Sequence, residues 1–184
     1  MQALMKDMET RMQAAIDTLA REFATVRTGR ASAALLDPIR VDYYGTPTPV
    51  SQMASVSVPD AKTIAIQPWE PGQLGAVEKA IMKSDLGLTP VNDGKVIRLV
   101  MPALTEERRK QLAKSVGKIA EESRVAVRNI RREANEKLKA MAKDKKVSED
   151  EERRGHDQIQ KMTDRYVGKA DELLKKKEQE ILSF

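Results

Sequence analysis

The sequence predicts an α+β protein in which a small strand-rich domain is inserted into a bundle of three long helices. Apolar residues recur at helical spacing through both ends of the chain, and all eight prolines lie between Pro38 and Pro102. Two textures of that kind, one inside the other, call for two separate cores.

Residues 1–28 place Met5, Met8, Met12, Ile16, Leu19, Phe23 and Val26 three or four positions apart, the signature of one buried helical stripe. Gly29 offers a C-terminal stop. From Ala31 the pattern shortens. Ile39, Val41 and Tyr43 alternate, as do Ala54, Val56 and Val58, and then Ile64 and Ile66, so three short strands are expected. Leu74, Val77 and Ile81 return to helical spacing, and LGLTPV and KVIRLVM read as two further strands around the turn Asn92-Asp93-Gly94. The predicted order of the insert is β-β-β-α-β-β.

Thr105 is a good N-cap, with Glu106 and Glu107 in the first turn, where the helix dipole favours negative charge. The stripe that follows uses Leu112, Val116, Ile119, Val127, Ile130, Ala134, Leu138 and Met141, with a break near Ser123. A helix to about residue 146 is roughly 60 Å long. Ser148 and Glu151 form a capping-box pattern for a third helix, striped by Ile159, Met162, Tyr166, Leu173 and Ile181. Gly155 and Gly168 are its weak points, each costing up to about 1 kcal/mol against Ala.

Three stripes are buried most economically in one three-helix bundle, formed by residues 1–29 and 105–184, with 30–104 as the inserted domain. The chain leaves through Gly29, Arg30, Ala31 and Ser32 and returns through Pro102, Ala103 and Leu104. A two-strand connection of this kind is expected to act as a hinge.

The chain holds no cysteine and one histidine, His156, which removes thiolate chemistry, zinc clusters and any triad that draws on several histidines. No catalytic residue, metal site or cofactor is expected. The opening MQALMKDMETRM is not a signal-peptide pattern and no apolar run approaches ~20 residues, so a cytoplasmic protein with no membrane association is the default.

The net charge of +5 is unevenly divided. Residues 1–29 and 30–104 each sum to zero, and 148–184 sum to −2. Residues 105–147 carry fourteen Lys/Arg against seven Asp/Glu and supply the excess. Clustered charge of this sign marks a surface for a polyanion. Within it, RVAVRNIRREAN at 124–135 places Arg124, Arg128, Arg131 and Arg132 within an arc of about 100° on one helix. Guanidinium forks bind phosphate oxygens in pairs and stack on exposed bases, which suits structured RNA, and Asn135 on the same side adds a neutral contact. The competing reading is a solvated face whose arginines pair with Glu121, Glu122, Glu133 and Glu136. Arg108, Arg109, Lys110, Lys114 and Lys118, upstream on the same helix, are read as solubilising or peripheral.

Tyr43 and Tyr44 before Gly45-Thr46-Pro47-Thr48-Pro49 are read as core and turn residues beside a Pro-fixed loop, in preference to a base-stacking platform. Thr28–Ser32 lacks the spacing and the preceding strand of a phosphate loop. His156 is read as a surface histidine.

VRTGRAS at 26–32, YYGTPTP at 43–49, VEKAIMKSDLGLTP at 77–90, LTEERRK at 104–110 and RVAVRNIRREAN at 124–135 together resemble the motifs of the bacterial ribosome recycling factor family. The resemblance spans the chain and is loosest in the last helix. It implies an L-shaped molecule with a β/α/β sandwich domain hinged on a three-helix bundle. It also implies a non-enzymatic role: binding the large ribosomal subunit and its ribosomal RNA after termination. Together with elongation factor G and GTP, such a factor separates the subunits and frees mRNA and tRNA. Arg128, Arg131 and Arg132 match ribosome-contacting arginines, Arg124 shares their row, and Arg109 is a further carry-over. A monomer is expected. The alternatives are a coiled-coil scaffold that joins chains or a general RNA-binding protein, with an enzyme the weakest.

Overall fold

The computed structural model describes residues 1–183; Phe184, the last residue of the expected bundle range, lies outside the described residues. In chain order the elements are α1 (Gln2–Thr25), β1 (Arg40–Tyr43), β2 (Thr46–Pro49), β3 (Ala54–Asp60), β4 (Thr63–Pro68), α2 (Leu74–Lys83), β5 (Pro90–Asn92), β6 (Ile97–Val100), α3 (Glu106–Lys143) and α4 (Glu149–Leu182). They form two compact units: Met1–Thr28 with Thr105–Ser183, and Gly29–Leu104.

In the first unit α1, α3 and α4 pack on one another, and each contributes fully buried side chains, among them Met8, Met12, Val116, Leu138 and Ile159. The stripe of α3 is not broken at Ser123. Ser123 is itself buried, and Ala120 takes the core position in place of the half-buried Ile119, because 116, 120, 123 and 127 keep the spacing of four, three and four that a straight helix needs. On α4 the same rule puts Gly155, Ile159, Thr163, Tyr166 and Ala170 inside and leaves Met162 at the edge. The Thr163 hydroxyl donates to the Ile159 carbonyl at 2.8 Å, so its burial leaves no unmet polar group. Gly155 is a packing site: a Cβ there would stand 2.6 Å from Leu138 Cδ2 and 3.1 Å from the Met1 thioether.

The caps follow the pattern in the sequence. Thr105 Oγ1 accepts from the Arg108 amide at 3.1 Å, and Ser148 and Glu151 exchange both bonds of a capping box, at 3.2 and 2.8 Å. Among the described residues, one ion pair links each pair of helices: Arg11–Glu133 at 2.6 Å, Arg165–Glu9 at 2.9 Å and Arg124–Asp171 at 2.7 Å. Helix α1 ends at Thr25, ahead of the expected stop at Gly29, because Val26 already has extended backbone.

In the second unit a four-stranded antiparallel sheet of order β3-β4-β6-β5 packs Ile64, Ile66, Ile97 and Leu99 against Val77 and Ile81 of α2. A separate β1-β2 hairpin adds Val41 to this core. The hairpin corrects the expected loop at Thr46–Pro49, which is a fourth strand ahead of α2. Its register sets Pro47 opposite Asp42 and Pro49 opposite Arg40, so prolines alternate with threonines. On an edge strand the missing N–H groups at every second residue cost no ladder bond. Tyr44 and Gly45 turn the hairpin with φ of 50° and 82°, the double positive φ of a type I′ turn.

Candidate nucleic-acid interface

The four arginines of 124–132 lie on α3 as the sequence places them, but their partners divide them. Arg124 is committed within the bundle: its Nε donates to Asp171 Oδ1 at 2.7 Å and its Nη1 to Glu121 Oε2 at 2.9 Å, with the side chain only 18% exposed. Burial works against its charge, and the Glu121 and Asp171 carboxylates outweigh that, holding the guanidinium above its ordinary pKa. Arg128 donates to the other oxygen of Glu121 at 3.2 Å. The hydrogen bond from Arg124, followed by that from Arg128, keeps the Glu121 carboxyl below the usual range.

Arg131 is half-buried at the margin of the core and has no carboxylate partner among the described residues. Arg132 is exposed, and its Nη2 donates to the neutral Asn129 Oδ1 at 2.8 Å. Two guanidinium groups are therefore left without intramolecular neutralisation at the centre of the +7 segment. The solvated-face reading holds for Glu121, which pairs within α3. It does not hold for Glu133, which reaches across to Arg11 of α1.

Asn135 lies 2.7 Å from His156 Nδ1, so its side chain is turned to α4. His156 is accordingly a half-buried interhelical residue and not a free surface histidine; its Nε2 is 3.4 Å from Glu152. Arg109 stands roughly 22 Å along the helix from Arg124, apart from the row, with a buried Nε that has no hydrogen-bond partner among the described residues. Asp171 is the residue that sequence reasoning missed: it meets Arg124 across 47 positions, and nothing local announces it.

Among the residues expected to form the hinge, Ala31 is buried and its amide donates to the Ala61 carbonyl at 2.8 Å. Ser32 Oγ accepts from the Ala34 amide at 3.3 Å and caps a short 3-10 turn. Gly29, with φ of 77°, and Pro102, Ala103 and Leu104 lie in no regular element, and Arg30 is engaged with its surroundings.

The tyrosines both grip one carboxylate. The Tyr43 hydroxyl donates to Glu70 Oε1 and that of Tyr44 to Oε2 at 2.9 Å, with the rings edge to face at 4.7 Å. Tyr43 packs on the core of its unit and Tyr44 is 75% exposed in the turn. Among the described residues no group of three or more His, Asp or Glu side chains is placed to hold a metal, and no helix is long and apolar enough to cross a membrane.

Fold and site together define a helical factor with a cationic face and an inserted β-rich unit. The model of the ribosome recycling factor family matches residues 19–182. Ribosome-recycling factor of Oleidesulfovibrio alaskensis is 58% identical over 182 residues, 99% of each chain, and that of Carboxydothermus hydrogenoformans is 56% identical over 183 residues, spanning 100% of this chain and 99% of the relative. A solution structure of the ribosome recycling factor superposes with a TM-score of 0.72 at 42% identity, covering 100% of this chain and 97% of the other. A Thermus thermophilus ribosome recycling factor, placed with Escherichia coli elongation factor G on the E. coli post-termination complex, gives 0.63 at 49% identity over 98% of each chain. The chain belongs to the ribosome recycling factor family, whose members are translation factors and not enzymes.

Proposed function

We propose that this protein recycles ribosomes: it binds the large subunit of the post-termination complex and, with elongation factor G and GTP, promotes subunit separation and release of mRNA and tRNA. Family membership and the relative seen with elongation factor G on a post-termination complex support the role. The observation that carries the docking mode is the pair Arg131 and Arg132, guanidiniums with no carboxylate partner among the described residues on the most basic segment of the chain. Arg128 joins them when a phosphate replaces Glu121. Arg124 braces the row, and Arg109 is an outlying contact. Ribosomal RNA is the natural ligand of such a row, and the cytoplasm is where the protein acts.

The segments Gly29–Ser32 and Pro102–Leu104 serve as the hinge through which work from elongation factor G reaches the bundle. Ala31 and Ser32 are tied into the second unit, which favours Gly29 and Pro102–Leu104 as the pivot within that hinge. The chain itself makes and breaks no bond.

Co-sedimentation with purified large subunits across a salt series tests the docking mode. Arg131→Ala should weaken binding by roughly five- to tenfold, with a plot of log K against log salt shallower by about 0.7–0.9 and an unchanged helical circular dichroism signal. Binding and slope equal to those of the unmodified protein would remove Arg131 from the interface.

A further inference from the structure

The carboxylate of Glu121 lies on the arc of the arginine row, about one turn ahead of Arg124. With Arg124 set at zero on an ideal helix, Arg128 falls at about 40°, Glu121 at about 60° and Arg132 at about 80°. The neighbouring carboxylates Glu122, Glu133 and Glu136 fall outside, at about 160°, 180° and 120°. Upstream, Lys114 returns to about 80° and has no ion-pair partner among the described residues. A line of cations therefore runs along α3 with one acidic residue in it. That residue is held by the two arginines that follow it, Arg124 at 2.9 Å and Arg128 at 3.2 Å, through one oxygen each. Glu121 is about half exposed, so it is not a core residue, and the largely buried Arg124 has Asp171 as a second carboxylate partner when Glu121 is drawn away.

We propose that Glu121 determines the selectivity of this face by ending the phosphate-contacting row, so that the continuous RNA contact on α3 starts at Arg128 and runs to Arg132, with the outlying Arg109 separate from it. The inference rests on the docking reading above. A carboxylate presents two oxygens to a guanidinium fork much as a phosphate does, and a polynucleotide reaching Arg128 must displace it. A phosphate fixed by the shape of folded RNA makes that exchange at little cost, since the pair is exposed. A loosely placed phosphate, or a strand continuing upstream toward Lys114, meets a negative charge about 10 Å before the next cation. Repulsion built into a basic face weakens wrong partners more than the right one.

Removing the charge while keeping the hydrogen-bonding shape isolates the effect. Glu121→Gln, Arg131→Ala and the unmodified protein are each titrated, over a monovalent-salt series, with purified large subunits and with a mixed-sequence RNA duplex. Glu121→Gln should bind large subunits about two- to fivefold tighter at low salt, with a slope steeper by about 0.7–0.9. It should bind the duplex with a larger gain, so that the ratio of the two affinities falls. Weaker binding, an unchanged slope, or a ratio that holds or rises would overturn the inference. Arg131→Ala separates the two levels: if it loses affinity while Glu121→Gln behaves like the unmodified protein, only the inference fails. If Arg131→Ala loses nothing, the docking reading falls and the inference with it.

Discussion

Gly155 and Gly168 both lie within the unbroken α4, and only Gly155 faces a neighbour. A methyl group at 168 meets nothing within 4 Å, whereas at 155 it meets Leu138 Cδ2 at 2.6 Å and Met1 at 3.1 Å, and Leu138 is fully buried. Gly168→Ala should therefore stabilise the protein by up to about 1 kcal/mol through helix propensity alone. Gly155→Ala should destabilise it by about 1 kcal/mol, the overpacking cost outweighing that gain. Urea midpoints at constant slope read both changes. The sequence presents the two glycines alike, as weak points, because the difference lies in what crosses from α3 and from Met1. The arginine row is a similar case. The helical period alone puts all four guanidiniums on one arc, but which of them are free depends on Asp171, a partner no local pattern supplies.

Among the elements, the long helices are legible because period, caps and length agree: the capping box at Ser148 and Glu151 forms as written, and the shortfalls are at C-terminal ends, α1 closing at Thr25 and α3 at Lys143 in place of about residue 146. Thr46–Pro49 is hidden because proline reads as a loop former, and its tolerance on an edge strand depends on a register that the sequence does not display. The turn before β6 carries a testable electrostatic consequence. Asp93 accepts from the Val96 and Lys95 amides at 2.8 and 3.0 Å and from Arg98 at 2.6 Å, and these bonds lower its pKa to about 2. A carboxyl depressed on folding adds stability that is fully present above its ordinary value near 4 and is lost as the pH falls through about 2. Acid unfolding of Asp93→Asn should accordingly converge with that of the unmodified protein between about pH 4 and pH 2, while the two differ at neutral pH. A constant gap across that interval would show that the charge of Asp93 is not what ties the turn.

At the scale of the whole molecule, the helical stripes are used up within one chain. Met8, Met12, Leu138, Ile159 and Ile181 are fully buried, and the exposed large apolar residues of α3 and α4 are the isolated Val125 and Leu182. A scaffold that joins chains through its stripes would need a continuous apolar seam, so sedimentation equilibrium should return a single species of 20.6 kDa at all loading concentrations. A concentration-dependent mass would revive the scaffold. The separate stripes and the proline-rich insert are legible because each follows from residues close in sequence, whereas the packing of α1 on α3 and α4 joins residues 1–28 to 105–183 and is written in no local pattern.

The close meeting of Gly29 and Leu104, where a Cβ on the one would lie 3.0 Å from Cγ of the other, also governs how the gene can be cut. A segment whose two ends touch is a cassette: once it is excised, a few glycines can bridge Thr28 to Thr105, and the removed piece can be closed head to tail or transplanted into another host at a single point. Deletion, permutation and grafting thus all begin from the same pair of neighbouring residues.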